Sequence, residues 1–435
     1  MADIIADGTI GAKRFLLLDS TGKIPAVDGS QVTALAAGNV ATDIIPIARI
    51  DVGTTANKLV QLDANAKLPA LDASLLTNIP GATKSSSDPA VDTNPSGGVG
   101  SEWHNTTSGE AYICTDATTD ENVWTNIGAG TGDIEPWRFV GESYGYNMGG
   151  TKSPAWTMEN MIQKFAFATD GNMVDVANLT VARRFCAGAC SDTYGFAMGG
   201  LGQNVIDRHH FANATDSTDV GDVSFSSPVA GCSSSTHGYV CANSGGGTPA
   251  GVTIEKFSNT SIGNTTNVGD LTHNHNSTGG GTSSADYGYT TGASYPINQG
   301  GDKIDKFSFA SDGNATLMGL LANSVQLYGN GAFASKTYGY IAGGGNAGPD
   351  TYSNVIQKWS FASDGNASDV GDLITGLQDL NNQTSCSTTA GYVQGGYHGG
   401  WRNQIQKIST ASDGNATDAG DLLAPLVING AGVQI

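Results

Sequence analysis

The feature that most constrains this chain is a phrase it repeats. Residues 304–316 read IDKFSFASDGNAT, residues 356–373 read IQKWSFASDGNASDVGDL, and residues 405–422 read IQKISTASDGNATDAGDL. A catalytic constellation needs writing once, whereas a phrase that returns at a regular interval is architecture. Two anchors measure the interval. One is isoleucine, a polar residue, a base and usually an aromatic, starting at Ile162, Ile206, Ile254, Ile304, Ile356 and Ile405. The other is Tyr-Gly-Tyr or a variant, starting at Tyr144, Tyr194, His237, Tyr287, Tyr338 and Ala390. Each recurs six times, in the same order, at about 49-residue steps.

One copy shows what the unit contains. From Tyr338, YGYIAGG alternates and ends in glycines; after a loop, VIQKWSFA alternates again. On that alternation Val355, Gln357 and Trp359 face one way, and Ile356, Lys358 and Ser360 the other. SDGN is a tight turn, because Asp-Gly tolerates the backbone angles a hairpin needs. ASDVGDL is a third strand, and TSCSTTA, just before the next anchor, is a fourth. Four strands per copy make an all-β chain whose repeats bury their faces only by stacking on neighbours, as propeller blades do. Residues 427–435, VINGAGVQI, are expected to supply the missing strand of the first copy; Trp137, Arg138, Phe139 and Val140 are the alternative.

The strands ending in paired glycines (Gly149-Gly150, Gly199-Gly200, Gly245-Gly246, Gly343-Gly344, Gly395-Gly396) resemble those of kelch-type β-propellers. The fourth copy departs, with Gly292-Ala293, and the usual kelch tryptophan is absent. The resemblance implies a six-bladed kelch-like β-propeller over residues 131–435.

A different repeat precedes it. Residues 16–35, LLLDSTGKIPAVDGSQVTAL, align with residues 60–79, VQLDANAKLPALDASLLTNI. Neither copy is large enough to make a core alone. Both resemble shaft repeats of bacteriophage tail fibres, which implies an intertwined homotrimer over residues 1–82, with attachment to other virion tail proteins. Residues 83–98 read as a linker, and residues 100–128 as a small β module with Trp103, Tyr112 and Trp124 at its core. That module is similar to ones met in phage fibres. Together these form a segment spanning 83–130, with 129–136 as a hinge into the propeller.

Composition removes other classes. Net charge is −20, and no basic stripe is visible, so neither nucleic acid nor an anionic membrane is expected as a partner. No run approaches the ~20 apolar residues of a membrane span, and the start shows no signal peptide. None of the six cysteines stands in a CxxC pair; Cys190 and Cys386 read as small buried residues of a tight strand.

Candidate sites are weighed against architecture. The SDGN turns lack the oxygen ligands of a calcium loop and read as hairpins. Asn-Ala-Thr at 213–215, 314–316 and 415–417 falls in those turns. His209-His210 and the pair His273 and His275 read as surface histidines, with no carboxylate nearby in the repeat. No metal, cofactor or catalytic set is expected, because the acidic residues recur in register. What varies is the loop after each Tyr-Gly strand. Those loops carry Trp156, Tyr295, Tyr352, Tyr397, His398 and Trp401, whose rings suit stacking on sugars.

The resemblances imply a virion tail-fibre protein, assembled in the host cytoplasm, whose head recognises a host surface glycan or protein without catalysis. A structural head or neck fibre without receptor specificity and a polysaccharide-degrading tailspike are the alternatives.

Overall fold

A computed structural model describes residues 81–435, apart from 129–132, 153–155, 244–249, 276–278, 293–300, 323–328, 346–351, 381–383 and 424–429. The shaft repeats at 16–35 and 60–79 lie outside the described residues. The described chain is all-β, with one short 3-10 turn at Ala250–Val252. A small sheet comes first, and six four-stranded antiparallel sheets follow.

The strand before each Tyr-Gly anchor pairs forward, with the anchor strand itself. Sheet 2 is Ala187–Cys190, Tyr194–Gly200, Gln203–His210 and Thr218–Asp222. Sheets 3, 4, 5 and 6 repeat the order, beginning at Pro228–Ser233, Gly280–Ser283, Gly331–Ala334 and Ser385–Cys386. In sheet 1 the anchor strand Tyr144–Lys152 is joined by Ala431–Gln434, with Val433 opposite Tyr146. The C-terminal segment therefore supplies the first copy's missing strand. Residues 137–140 form no strand there; Phe139 O instead accepts a hydrogen bond from Gln434 Nε2.

The two anchors keep step because they pair. Gly339 lies opposite Trp359, Gly238 opposite Phe257, Gly288 opposite Phe307 and Gly145 opposite Phe165. Each ring covers its glycine so closely that a Cβ there would collide with it. The sixth copy has Ile408 opposite Gly391, and Phe333 of sheet 5 covers that glycine instead. The expected alternation along 355–360 does not hold. Ile356 and Gln357 are both buried, next to an extra residue in the facing outer strand, and the sheet is covered on both faces.

Neighbouring sheets are joined by groups that every copy carries. The strand before the anchor packs on its counterpart in the next sheet, and Ala431–Gln434 packs on Ala187–Cys190, so the series returns to its start. In the turn between the last two strands, a side chain accepts a backbone N–H from the preceding sheet's outer strand. Asn264, Asn314, Asn366 and Asn415 accept from Asp222, Asp270, Leu320 and Asp372. Asp216 serves Asn178, and Asn172 of sheet 1 serves Asp421 of sheet 6. In five of the six donor strands a glycine precedes the donating residue and lets that turn approach: a Cβ on Gly269 or Gly319 would overlap the turn's backbone, and sheet 1 has Ala177 at this place.

A second set of six uses the polar residue of the isoleucine anchor. Asp207, Glu255, Asp305, Gln357, Gln406 and Gln163 are buried. They accept the N–H of Thr180, Ser224, Thr272, Ala322, Ile374 and Leu423 from the preceding sheet. A buried polar side chain left without a partner costs about 1–3 kcal/mol, and these N–H groups supply the partner that lets the position stay polar inside an apolar strand. The lysines of the anchor add outer pairs: Lys256–Asp312, Lys306–Asp364, Lys358–Asp413 and Lys407–Asp170.

The small sheet holds Tyr112, Cys114 and Trp124 buried, with Trp103 edge-on to Trp124 at 5.9 Å. Residues 83–98 are not a free linker. Thr83–Ser85 pairs in parallel with Glu102–Asn105, and Asn122 Nδ2 donates to Val91 O. Part of the expected hinge is likewise packed, because Ile134 bridges Trp124.

Candidate functional site

Each anchor strand has two ends with different contents. In sheet 6, Thr388 precedes the strand Ala390–Gln394, and Tyr397 and Trp401 follow it. Thr388 and Lys336 line a cavity of about 380 Å³ with Trp137, Arg138 and Gln434, where the chain enters from the small sheet. The loops carrying the candidate aromatics are at the other end.

Five of those six residues come together. Trp156 meets Trp401 edge-on at 4.9 Å, Trp401 meets Tyr397 at 4.6 Å, Tyr397 meets Tyr352 at 5.8 Å, and Tyr352 meets His398 at 4.6 Å. Tyr295 lies outside the described residues. The row draws on sheets 5, 6 and 1. Backbone pairing fixes it: Tyr397 exchanges hydrogen bonds with Gln378 and bridges Trp401, and Tyr352 bridges Gly345. His398 Nδ1 lies 2.8 Å from Gly376 O, and Arg402 Nη2 donates to His398 O. Trp156 is 55% exposed and holds a left-handed backbone, φ 54°, that a bulky residue rarely adopts. The other four are half-buried. Rings held edge-on keep part of each face open, and those faces with flanking polar groups suit a sugar or an apolar surface.

The histidines depart from the sequence reading. His273 and His275 are buried, with ring centroids 4.2 Å apart. His273 Nδ1 lies 3.2 Å from Asp305 Oδ2. The carboxylate comes from the next sheet, so no inspection of one repeat would find it. Burial, with His273 beside it, pushes His275 down to about 3. Burial alone would raise Asp305, but the hydrogen bond and charge of His273 outweigh it and hold the carboxyl below its usual range. His209 is also buried, between Tyr146 and Phe211, whereas His210 packs at the rim against Tyr194.

The other weighed residues are architectural in position. Asn314 and Asn415 of the Asn-Ala-Thr triplets are the sheet-joining acceptors. All six cysteines are buried, and Cys190 N–H donates to Ser233 Oγ of the next sheet. No protein-family model matches the chain. A search of curated proteins finds no match either.

Proposed function

We propose that the chain is a phage virion fibre protein whose six sheets form a six-bladed, kelch-like propeller head. The head recognises a host-surface glycan or protein through the aromatic loop row and performs no catalysis. Residues 1–82 attach to other virion proteins and trimerise as a shaft. Six sheets, each bonded to the next by the same two backbone–side chain contacts, with the sixth returning to the first, support the propeller reading. The shaft and fibre-module resemblances support the virion assignment.

The observation that carries recognition is the row itself. Trp156, Tyr352, Tyr397, His398 and Trp401 come from loops that differ between copies, yet they adjoin across three sheets. Repeated residues join every sheet to its neighbour, whereas these five belong to no repeated set and meet at one place. Three copies in a trimer would add their individually weak contacts.

The test is binding of the full chain to intact bacterial cells infected by the particle and to their purified surface polysaccharide. Trp401→Ala and Tyr352→Ala are expected to weaken binding by about tenfold or more without loss of folding. Wild-type affinity in both folded variants, or no binding of the wild type to any infected cell, would overturn the reading.

A further inference from the structure

We propose that His273, His275 and Asp305 bind one divalent transition-metal ion of the zinc class, tying sheet 3 to sheet 4. The three residues each offer a donor atom, and these atoms lie within 4.8 Å of one another, all buried. Donors around one zinc ion sit about 2.0–2.2 Å from it, so they stand no more than about 4 Å apart. An inward shift of under about 1 Å would complete the set.

Three of the four ring nitrogens are also uncommitted, His273 Nδ1 being the one that faces Asp305. Among the described residues, His273 Nε2 and both ring nitrogens of His275 have no hydrogen-bond partner. Buried polar atoms without partners are costly, and an ion would satisfy them. Asp305 is already oriented, accepting the Thr272 N–H at 2.8 Å and the Thr272 hydroxyl at 2.5 Å. Such hydrogen bonds fix a ligating carboxylate. Two imidazoles and one carboxylate suit zinc and its neighbours rather than magnesium or calcium, which take oxygen ligands.

The other copies show that the joint does not need histidine. Between sheets 5 and 6 the corresponding residues are Leu377 and Gln406, and between sheets 1 and 2 they are Arg183 and Asp207. His275, Leu377 and Arg183 each donate their N–H to the facing loop, at Gly251, Ser353 and Glu159. Two histidines at this one joint therefore add chemistry that the fold elsewhere does without.

The experiment uses the tag-free full chain, stripped with a chelator, loaded with zinc sulfate and dialysed against metal-free buffer. Elemental analysis is expected to find one zinc per chain, and zinc is expected to raise the unfolding temperature. His275→Leu and Asp305→Gln copy residues that the chain uses at its own joints, so both should unfold cooperatively. Each is expected to lose the zinc and its thermal effect. A wild type that retains no zinc, or folded variants that retain it as the wild type does, would overturn the proposal.

Discussion

Trp359 lies across Gly339 in the facing strand, so that the glycine's missing side chain is the space the indole occupies. Gly339→Ala is therefore expected to destabilise the chain by about 1–3 kcal/mol, the usual cost of overpacking. Gly263→Ala, in an open turn with nothing within 4 Å of its Cβ, should change stability by less than about 0.5 kcal/mol. Urea midpoints of the full chain measure both, and equal effects would discredit the packing argument.

Arg183 and Asp207 are both fully buried and joined as an ion pair. Removing one partner strands a charge, so Asp207→Ala should cost about 3–5 kcal/mol. The double change Arg183→Leu with Asp207→Gln copies the joint at Leu377 and Gln406, and should recover most of that loss. Unfolding free energies of the single and the double variant, each set against the wild type, give the answer. A double variant as unstable as Asp207→Ala would mean that the two joints are not interchangeable.

Two contacts at the same turn should differ in worth. Asn415→Ala removes the acceptor of the Asp372 N–H and is expected to cost about 1 kcal/mol. Asp413→Ala removes an outer pair with Lys358 whose carboxylate is more than half exposed, and should cost less than that. Thermal unfolding of the two variants compares them directly.

Acid should loosen the fold before it reaches the carboxylates. Burial lowers His209, with Lys164 and His210 opposing its charge and Asp216 favouring it; burial also lowers His237, between Lys256 and Asp312. An unfolded chain has these imidazoles near 6.5, so below that pH it binds protons that the folded chain refuses. Stability is thus complete above about 6.5 and declines as pH falls. His209→Gln should flatten the decline in urea midpoint, and an unchanged slope would remove His209 from the account.

The strands and turns were legible in the sequence because both obey short-range rules. Tyr338–Ala342 and Val355–Ser360 are short runs rich in aromatic and β-branched residues, and the glycines of SDGN and of the strand ends mark where the chain reverses. The strand that residues 431–434 lend to the first copy was legible too, but the side-chain contacts between copies escaped. Asp305 is distant in sequence from His273, so the histidines read as solvent residues. The Asn of SDGN read as part of a turn, although its side chain serves the preceding sheet. Thr83–Ser85 is too short and polar to announce a strand; its partner, Glu102–Asn105, decides it. Of the candidate site, the residue types were legible, but their meeting was not, since Trp156 reaches Trp401 only because sheet 1 lies beside sheet 6.

The pairing of Ala431–Gln434 with the strand that begins at Tyr144 also sets a timetable. On the ribosome, sheet 1 stays one strand short until residue 434 has emerged, while sheets 2 to 6 can form in order behind it. Through that interval its open edge can accept the same strand from another nascent chain, which would yield exchanged partners. Slow elongation through residues 423–434, or crowding of chains on one polysome, would thus bear on assembly although neither touches a residue of the finished fold.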